Sequence, residues 1–326
     1  MTSPALVDDV AAALEARLPG AVTRNASIAD LTTYRVGGPA AVLVRVTDED
    51  ALREVAGVVA ETCVPVLVVG RGSNLLVAEA GFSGVAIALC DRFDAVDVDA
   101  RAGVVGAGGS APLPVVARRA ASAGVGGLEF LVGIPGSVGG AVKMNAGGHG
   151  RETREVLECA WVLDLAAGES APVEERDGAA LDFSYRHSNL QDSHIVLGAR
   201  LQGAPDAIDE CEARIADIVR WRREHQPGGS NAGSVFQNPP GDSAGRLIDA
   251  AGLKGLRVGG AFVSDKHANF FQAEPGATAD DVAGLIALVR TRVADATGVT
   301  LEPELRMIGF SGVNDTPQQS AVQEDA

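Results

Sequence analysis

The sequence predicts a mixed α+β chain of more than one domain, and three observations carry that prediction. Its 326 residues exceed what one hydrophobic core ordinarily organises. It is 46% hydrophobic and 21% charged with 40 glycines, the balance of a globular protein. The rhythm then changes along the chain. Short β-branched runs broken by glycine turns fill residues 40–201, and a long helix at 206–227 opens a compact α+β segment.

Each element has a local reason. Ser3-Pro4 gives an N-cap and a proline at N1 to a first helix, whose Leu6, Val7, Val10, Leu14 and Leu18 recur at helical spacing until Gly20. Asp8, Asp9 and Glu15 stand where a signal peptide would be apolar. "AAVLVRV" (40–46) reads as a strand and "TDEDALREVAGVVAE" (47–61) as a helix with a Thr47/Asp50 box. "VPVLVVG" (64–70), "GVAIAL", "AVDVDA" and "GVVGAGG" are strands, a helix follows at 112–123, and "CAWVLDL" (159–165) and "IVLGARL" (195–201) add two strands. The helix at 206–227 ends in basic residues. Beyond it come helix 243–251, strands "VGGAFVS" and "NFFQ", and the capped helix 278–298. Residues 313–326 are expected to be a disordered tail.

Charge and cysteine usage exclude several functions. A net charge of −16 argues against a nucleic-acid partner while allowing a small phosphorylated substrate held by local cations. No run of 18 apolar residues occurs, so no membrane partner is expected. Cys63, Cys90, Cys159 and Cys211 lie far apart, with no CxxC pair and no histidine at ligand spacing. They read as buried thiols of a reduced, cytoplasmic protein without a metal site.

"GIPGSVGGAVKMNAGGHG" (133–150) holds seven glycines in eighteen positions. Glycine inside an element is unfavourable by about 0.5–1 kcal/mol against alanine, so the run needs a compensating reason. A linker would be polar, yet Ile134, Val138, Val142 and Met144 are interleaved here. The alternative is backbone pressed against a large flat ligand, its N–H groups facing an anion. "GRGSNLL" (70–76) is a second such turn after an apolar strand, and together the two suggest a dinucleotide cradle. "GAGGSA" (106–111) also matches G-x-G-x-x-A, with Glu129 about where a ribose-binding acid stands in a Rossmann NAD site. Its helix would open on Pro112 and Pro114 in a strand-rich region, which disfavours that use.

Seven motifs in register resemble the UDP-N-acetylenolpyruvoylglucosamine reductase family. They are "TTYRVGG" (32–38), "GRGSNLL" (70–76), "GLEFLVGIPGSVGGAVKMNAGGHG" (127–150), "FSYRHS" (183–188), "AGSVFQNP" (232–239), "AGLKGLRVGGAFVSDKHANF" (251–270) and "LEPELRMIG" (301–309). The resemblance spans roughly residues 20–310. It implies the two-part FAD-binding domain of the vanillyl-alcohol oxidase type plus a smaller α+β substrate-binding domain. The parts would be 20–90 with 302–312, then 91–213, and 214–301 for the substrate. Only 47 residues, 187–233, separate Arg186 from Ser234, which is similar to the type II enzymes that lack a substrate-covering tyrosine loop.

The activity so implied is NADPH-dependent reduction of an enolpyruvyl ether on a UDP-sugar to a lactyl ether, through non-covalent FAD, in peptidoglycan precursor synthesis. Carried over by motif, Arg186 holds the substrate carboxylate with two parallel bonds and Ser234 gives a proton to the carbanion. From the residues alone, Ser234 is equally a turn hydroxyl and Arg186 a solvated arginine. Strand parity puts Glu302 and Glu304 on one face and cannot choose between them; the resemblance picks Glu304. The implied FAD contacts are Tyr34, Arg35, Gly70, Arg71, Gly72, Ser73, Asn74, Leu75, Gly133, Ile134, Pro135, Gly136, Ser137, Gly139, Gly140, Asn145, Ala146 and Gly147, with the Asn145 side chain bonded to the flavin ring. Tyr185, Asn238, Lys254 and His267 are the implied substrate contacts. An NAD-linked dehydrogenase using "GAGGSA" and a non-catalytic flavin-binding protein are the alternatives.

Overall fold

In the computed structural model, which describes residues 2–310, the β-branched runs of the first third pair into one sheet. Helix α1 (Pro4–Arg17) is capped by Ser3, whose Oγ accepts from the Leu6 N–H, and buries Val10, Ala11 and Leu14. Strands β1 (Val22–Ser27), β2 (Pro39–Val46), β3 (Val66–Val68), β4 (Leu75–Val77) and β5 (Phe82–Leu89) follow, with α2 (Glu49–Thr62) between β2 and β3. The sheet order is β1-β2-β5-β3, antiparallel at β1/β2 and parallel elsewhere. The cap of α2 is Asp48, not the expected Thr47: the Asp48 carboxylate accepts from the Ala51 N–H at 2.9 Å, while the Thr47 hydroxyl donates to Asp48.

A second sheet is antiparallel throughout. It is built from β6 (Val96–Asp99), β7 (Val104–Gly108), β8 (Leu157–Asp164), β9 (Val173–Asp177) and β10 (His194–Gln202), in the order β9-β8-β10-β7-β6. Helix α3 (Leu113–Ser122) covers it, and the glycine run contains a short helix, α4 (Val138–Met144), that low glycine propensity hides in the sequence. The long helix α5 (Ile208–His225) buries Cys211 and Ile215 in this second core. The boundary expected at 213/214 therefore falls inside a helix, and the next core begins after it. Of the cysteines, Cys159 and Cys211 are buried as expected, but Cys63 is exposed and Cys90 half-buried.

The third core packs α6 (Ala244–Ala250) and α7 (Ala279–Thr297) on strands β11 (Arg257–Val258), β12 (Ala261–Val263) and β13 (Phe271–Ala273). "VGGAFVS" is not one strand. Gly259, at φ +52°, turns the chain between β11 and β12, and the Gly260 N–H donates to Asp281 at 3.1 Å. Helix α7 carries the expected box, Thr278 with Asp281, and ends on left-handed Gly298. Tyr34, Leu76, Leu301 and Leu305 belong to this core too, and β14 (Arg306–Ile308) runs parallel to β4. The C-terminal segment is thus stitched to the turn at 70–74. The tail expected at 313–326 lies outside the described residues.

Candidate active site

The glycine segments far apart in sequence meet. A Cβ on Gly70 would come within 2.5 Å of Ser137 Oγ, and one on Gly72, at φ +58°, within 2.0 Å of the Leu31 carbonyl oxygen. Thr33 N–H donates to the Gly72 oxygen at 3.2 Å, bringing the Tyr34–Arg35 loop alongside. The Gly139 N–H donates to the Gly109 oxygen at 2.8 Å and the Val138 N–H to the Ala111 oxygen at 3.0 Å. Residues 109–111 therefore border the cradle, although β7 lies in an antiparallel sheet and opens no parallel βαβ unit. Glu129 is buried against Arg214 at 2.7 Å and accepts from the Gly127 N–H, so it is not a ribose acid. The Rossmann alternative fails on both counts.

One face of this cradle is open. Gly140 is exposed, and a Cβ there would meet only Ser137 Oγ at 3.5 Å; Gly136 is similarly unobstructed, and Pro135 is exposed. No protein neighbour demands these glycines. Tyr34 is 1% exposed with its hydroxyl unpartnered, and burial pushes its phenol far above the ordinary value. The Ser110 hydroxyl, which sequence inspection missed, is likewise buried without a partner. Arg35, at φ +58°, and Arg71 are exposed and pair with no carboxylate among the described residues. Buried hydroxyls left unpaired and free cations around a side-chain-free surface are what an anionic, flat ligand would complete.

Other expected contacts are committed to the protein. Leu75 packs into the core beneath the first sheet. Gly133 packs against His149, Ile134 against the second core, and the Ala146 oxygen accepts from the Thr153 hydroxyl. Asn145 departs from its expected role: it is fully buried, its Nδ2 donates to Glu152 Oε2 at 3.1 Å and to the Ser184 oxygen at 2.9 Å, and its Oδ1 accepts from the Arg154 N–H. That side chain has no donor left for a flavin ring.

Asn145 instead holds the turn that presents Arg186. Ser184 and His187 exchange backbone hydrogen bonds, leaving Tyr185 and Arg186 at the tip. Ser188 Oγ donates to the Lys143 oxygen at 2.7 Å, and Lys143 Nζ donates to the Leu190 and Gln191 oxygens. Arg186 has φ +56°, a conformation that costs a non-glycine residue on the order of 1–3 kcal/mol and persists only where the surroundings enforce it. Its guanidinium lies over the Tyr185 ring, 4.8 Å from the centroid.

Arg186 Nε donates to Glu304 Oε1 at 3.0 Å, both side chains being less than one-fifth exposed. Burial raises the Glu304 carboxyl above its ordinary value, and the Arg186 charge partly offsets this. The parity question is resolved by where each carboxylate finds a partner, since 301–304 form only an isolated bridge at Pro303 and no regular strand. Glu302 turns outward to Arg290 at 2.9 Å, and Glu304 turns in. Glu304 N–H donates to the Val235 oxygen at 2.8 Å and Gln237 N–H to the Glu302 oxygen at 2.9 Å, so the Ser234–Gln237 segment runs antiparallel beside Glu304. Buried Asn269 clamps it, giving to the Phe236 oxygen and accepting from the Phe236 N–H. The Arg186–Glu304 pair and the backbone of the Ser234–Gln237 segment thus meet from three separate regions.

Three of the four expected substrate contacts gather around α6. Asn238 Oδ1 accepts from the Ala244 N–H, Lys254 Nζ pairs with Asp249 at 2.7 Å, and His267 packs against the Gly245 backbone and the Phe270 ring. Burial, with the Lys254 charge, lowers the His267 imidazole below its ordinary value. Tyr185 sits apart from these, 44% exposed beneath Arg186. Glu152 was not foreseen at all: its Oε1 lies 3.6 Å from Arg186 Nη1, and only the fold brings them together.

A glycine-walled cradle beside a buried carboxylate–arginine pair defines a cofactor-dependent oxidoreductase of the FAD-binding kind. Residues 40–170 match the family model described as FAD binding domain, and residues 225–308 match that of the UDP-N-acetylenolpyruvoylglucosamine reductase C-terminal domain. The chain is 44% identical over 315 residues to the UDP-N-acetylenolpyruvoylglucosamine reductase of Azorhizobium caulinodans, covering 95% of this chain and 99% of that one. It is 43% identical over 312 residues to that of Acidiphilium cryptum, covering 95% and 98%. The crystal structure of the Thermus caldophilus enzyme superposes with a TM-score of 0.75 at 38% identity, over 88% of this chain and 98% of that one. This chain belongs to the UDP-N-acetylenolpyruvoylglucosamine reductase family.

Proposed function

We propose that this chain is the FAD-containing, NADPH-dependent reductase that converts UDP-N-acetylenolpyruvoylglucosamine to UDP-N-acetylmuramate in peptidoglycan precursor synthesis. The Arg186–Glu304 pair carries the proposal, because its two members hang from the segments read as the cofactor cradle. Arg35, Arg71 and the open backbone at Gly136 and Gly140 fit the phosphates and ring of FAD. Bound there, FAD would supply two-electron hydride chemistry between NADPH and the enolpyruvyl double bond.

The chain's own residues handle charge and proton. Hydride addition pushes negative charge toward the substrate carboxylate, where the Arg186 guanidinium stabilises it. Glu304, whose carboxyl burial raises and Arg186 partly lowers again, polarises the same group. Ser234 gives its hydroxyl proton to the adjacent carbon, so that one hydride and one proton are added across the double bond. Asn238, Lys254 and His267 hold the UDP-sugar on the third core, and Tyr185 borders the enolpyruvyl end. Among the described residues no helix is long and apolar enough to cross a membrane. The net charge of −16 disfavours a nucleic-acid partner, and a cytoplasmic site of action goes with the proposed substrate.

The test uses purified protein. It should be yellow, oxidise NADPH beyond the amount that reduces its own flavin only when the enolpyruvyl UDP-sugar is present under anaerobic conditions, and release a product gaining two hydrogens per NADPH. A colourless protein, or NADPH oxidation indifferent to that substrate, contradicts the proposal.

A further inference from the structure

Arg186 is shared between two carboxylates, and only Glu304 is accounted for by the proposed chemistry. We infer that Glu152 is a positioning residue for Arg186, fixing the plane of its guanidinium so that Nη2 meets the substrate carboxylate. This rests on the reading of Arg186 as the arginine that holds that carboxylate. Glu304 occupies Nε and Glu152 lies nearest Nη1, which leaves Nη2 as the end nitrogen without a carboxylate partner among the described residues. A guanidinium has five donors in a rigid fork, so anchoring two of its nitrogens dictates where the third points.

Glu152 is itself immobilised. Its side chain is only 17% exposed, pairs with Arg154 Nε at 2.9 Å, and accepts from Asn145 Nδ2 at 3.1 Å and from the backbone N–H of Glu155. Gly147 leaves the room: a Cβ there would lie 3.0 Å from Arg186 Nη1 and 3.1 Å from Glu152 Cγ. Asn145 adds a second tie, because the amide that bonds Glu152 also bonds the Ser184 oxygen at the base of the Arg186 turn. The direction from which the substrate carboxylate meets the guanidinium is therefore set by Glu304 and Glu152 together.

The test is Glu152→Gln, which keeps the shape but removes the charge and exchanges one acceptor oxygen for a donor, read in separate half-reactions beside Arg186→Ala. FAD content, melting temperature and flavin reduction by NADPH should stay near the parent. Substrate Kd, from the flavin absorbance change, should shift by no more than about threefold, while reoxidation at saturating substrate slows by roughly tenfold to hundredfold. A purely structural cap would not split rate from affinity in this way. Glu152→Asp, which retains the charge, should recover part of the rate and serves as the working variant if the glutamine form folds poorly. Parent-rate reoxidation in Glu152→Gln, with Arg186→Ala slowed, overturns the role of Glu152 alone. Parent-rate reoxidation in Arg186→Ala overturns the underlying reading of Arg186.

Discussion

The Asn74 side-chain amide donates to the main-chain oxygen of Glu304 at 3.0 Å, across 230 positions of sequence. The Arg306 N–H returns a bond to the Asn74 oxygen at 3.1 Å. A turn read as part of the cofactor cradle thereby fixes the carboxylate proposed for chemistry. Asn74→Ala should lower the melting temperature by roughly 1–3 °C, since one partly buried hydrogen bond contributes about 0.5–1.5 kcal/mol. Reoxidation of reduced enzyme by substrate should slow more than its reduction by NADPH. Equal slowing of both half-reactions would show that Asn74 serves the cradle without orienting Glu304.

Two glycines separate packing from ligand contact. Gly72→Ala places a Cβ 2.0 Å from the Leu31 oxygen at a positive φ, so it should destabilise the fold itself. Gly140→Val meets little protein, so it should fold with a near-parent melting temperature yet purify colourless. The ratio of flavin to protein absorbance, read with the melting curve, checks both. Full flavin content in Gly140→Val would remove that residue from the cradle.

Lys254 is exposed and its pair with Asp249 is a surface contact, so Lys254→Ala should leave stability unchanged. If it grips the substrate, KM should rise roughly tenfold to hundredfold, the consequence of losing a charged hydrogen bond of about 1.5–3 kcal/mol. Flavin reduction by NADPH should stay close to the parent rate. Failure of that first half-reaction instead would place Lys254 elsewhere in the mechanism.

Stability should fall on acidification below the ordinary histidine value of 6.5. Burial, aided by Arg176, lowers His194, with Asp164 opposing; Lys143 lowers it further and Glu174 opposes. Its Nδ1 accepts from the Gln191 N–H at 2.9 Å, so the neutral ring is the folded form. A depressed histidine stabilises the fold above its unfolded value, and that contribution is lost as pH falls toward the folded one. Glu304 has the opposite sign: raised by burial, it contributes at low pH and the contribution is lost as pH climbs from 4.5 through its folded value. Melting curves should therefore show a shallower acid-side decline in His194→Gln. An identical decline would exclude His194 from the pH response.

Local chemistry was legible where one element decides its own fate. Helix α7 shows Thr278, Asp281 and Gly298 at its ends in the sequence, and the fold uses all three. The glycine turns were visible too as stretches needing a compensating reason, which packing supplies at Gly70 and Gly72 and the protein leaves open at Gly136 and Gly140. Long-range choices were not. Whether Glu302 or Glu304 faces Arg186 depends on Arg290 offering Glu302 an outward partner from α7 and on the Arg186 turn reaching Glu304. Asn145 reads as a ligand contact until the Ser184 turn, 39 positions away, is folded against it. The Glu152–Arg186 pair needs the cradle and the turn assembled before it exists.

The most direct measurement is anaerobic stopped-flow absorbance of the flavin in Ser234→Ala. NADPH reduces the enzyme first, and UDP-N-acetylenolpyruvoylglucosamine then reoxidises it. The backbone next to Ser234 pairs with Glu304 through Val235, and in the proposed mechanism Ser234 protonates the carbon next to the carboxylate held by Arg186. The account predicts normal FAD content, reduction near the parent rate, and reoxidation slower by roughly 10²–10⁴-fold, the usual loss for a positioned general acid. A Ser234→Ala enzyme that reoxidises at the parent rate would contradict it.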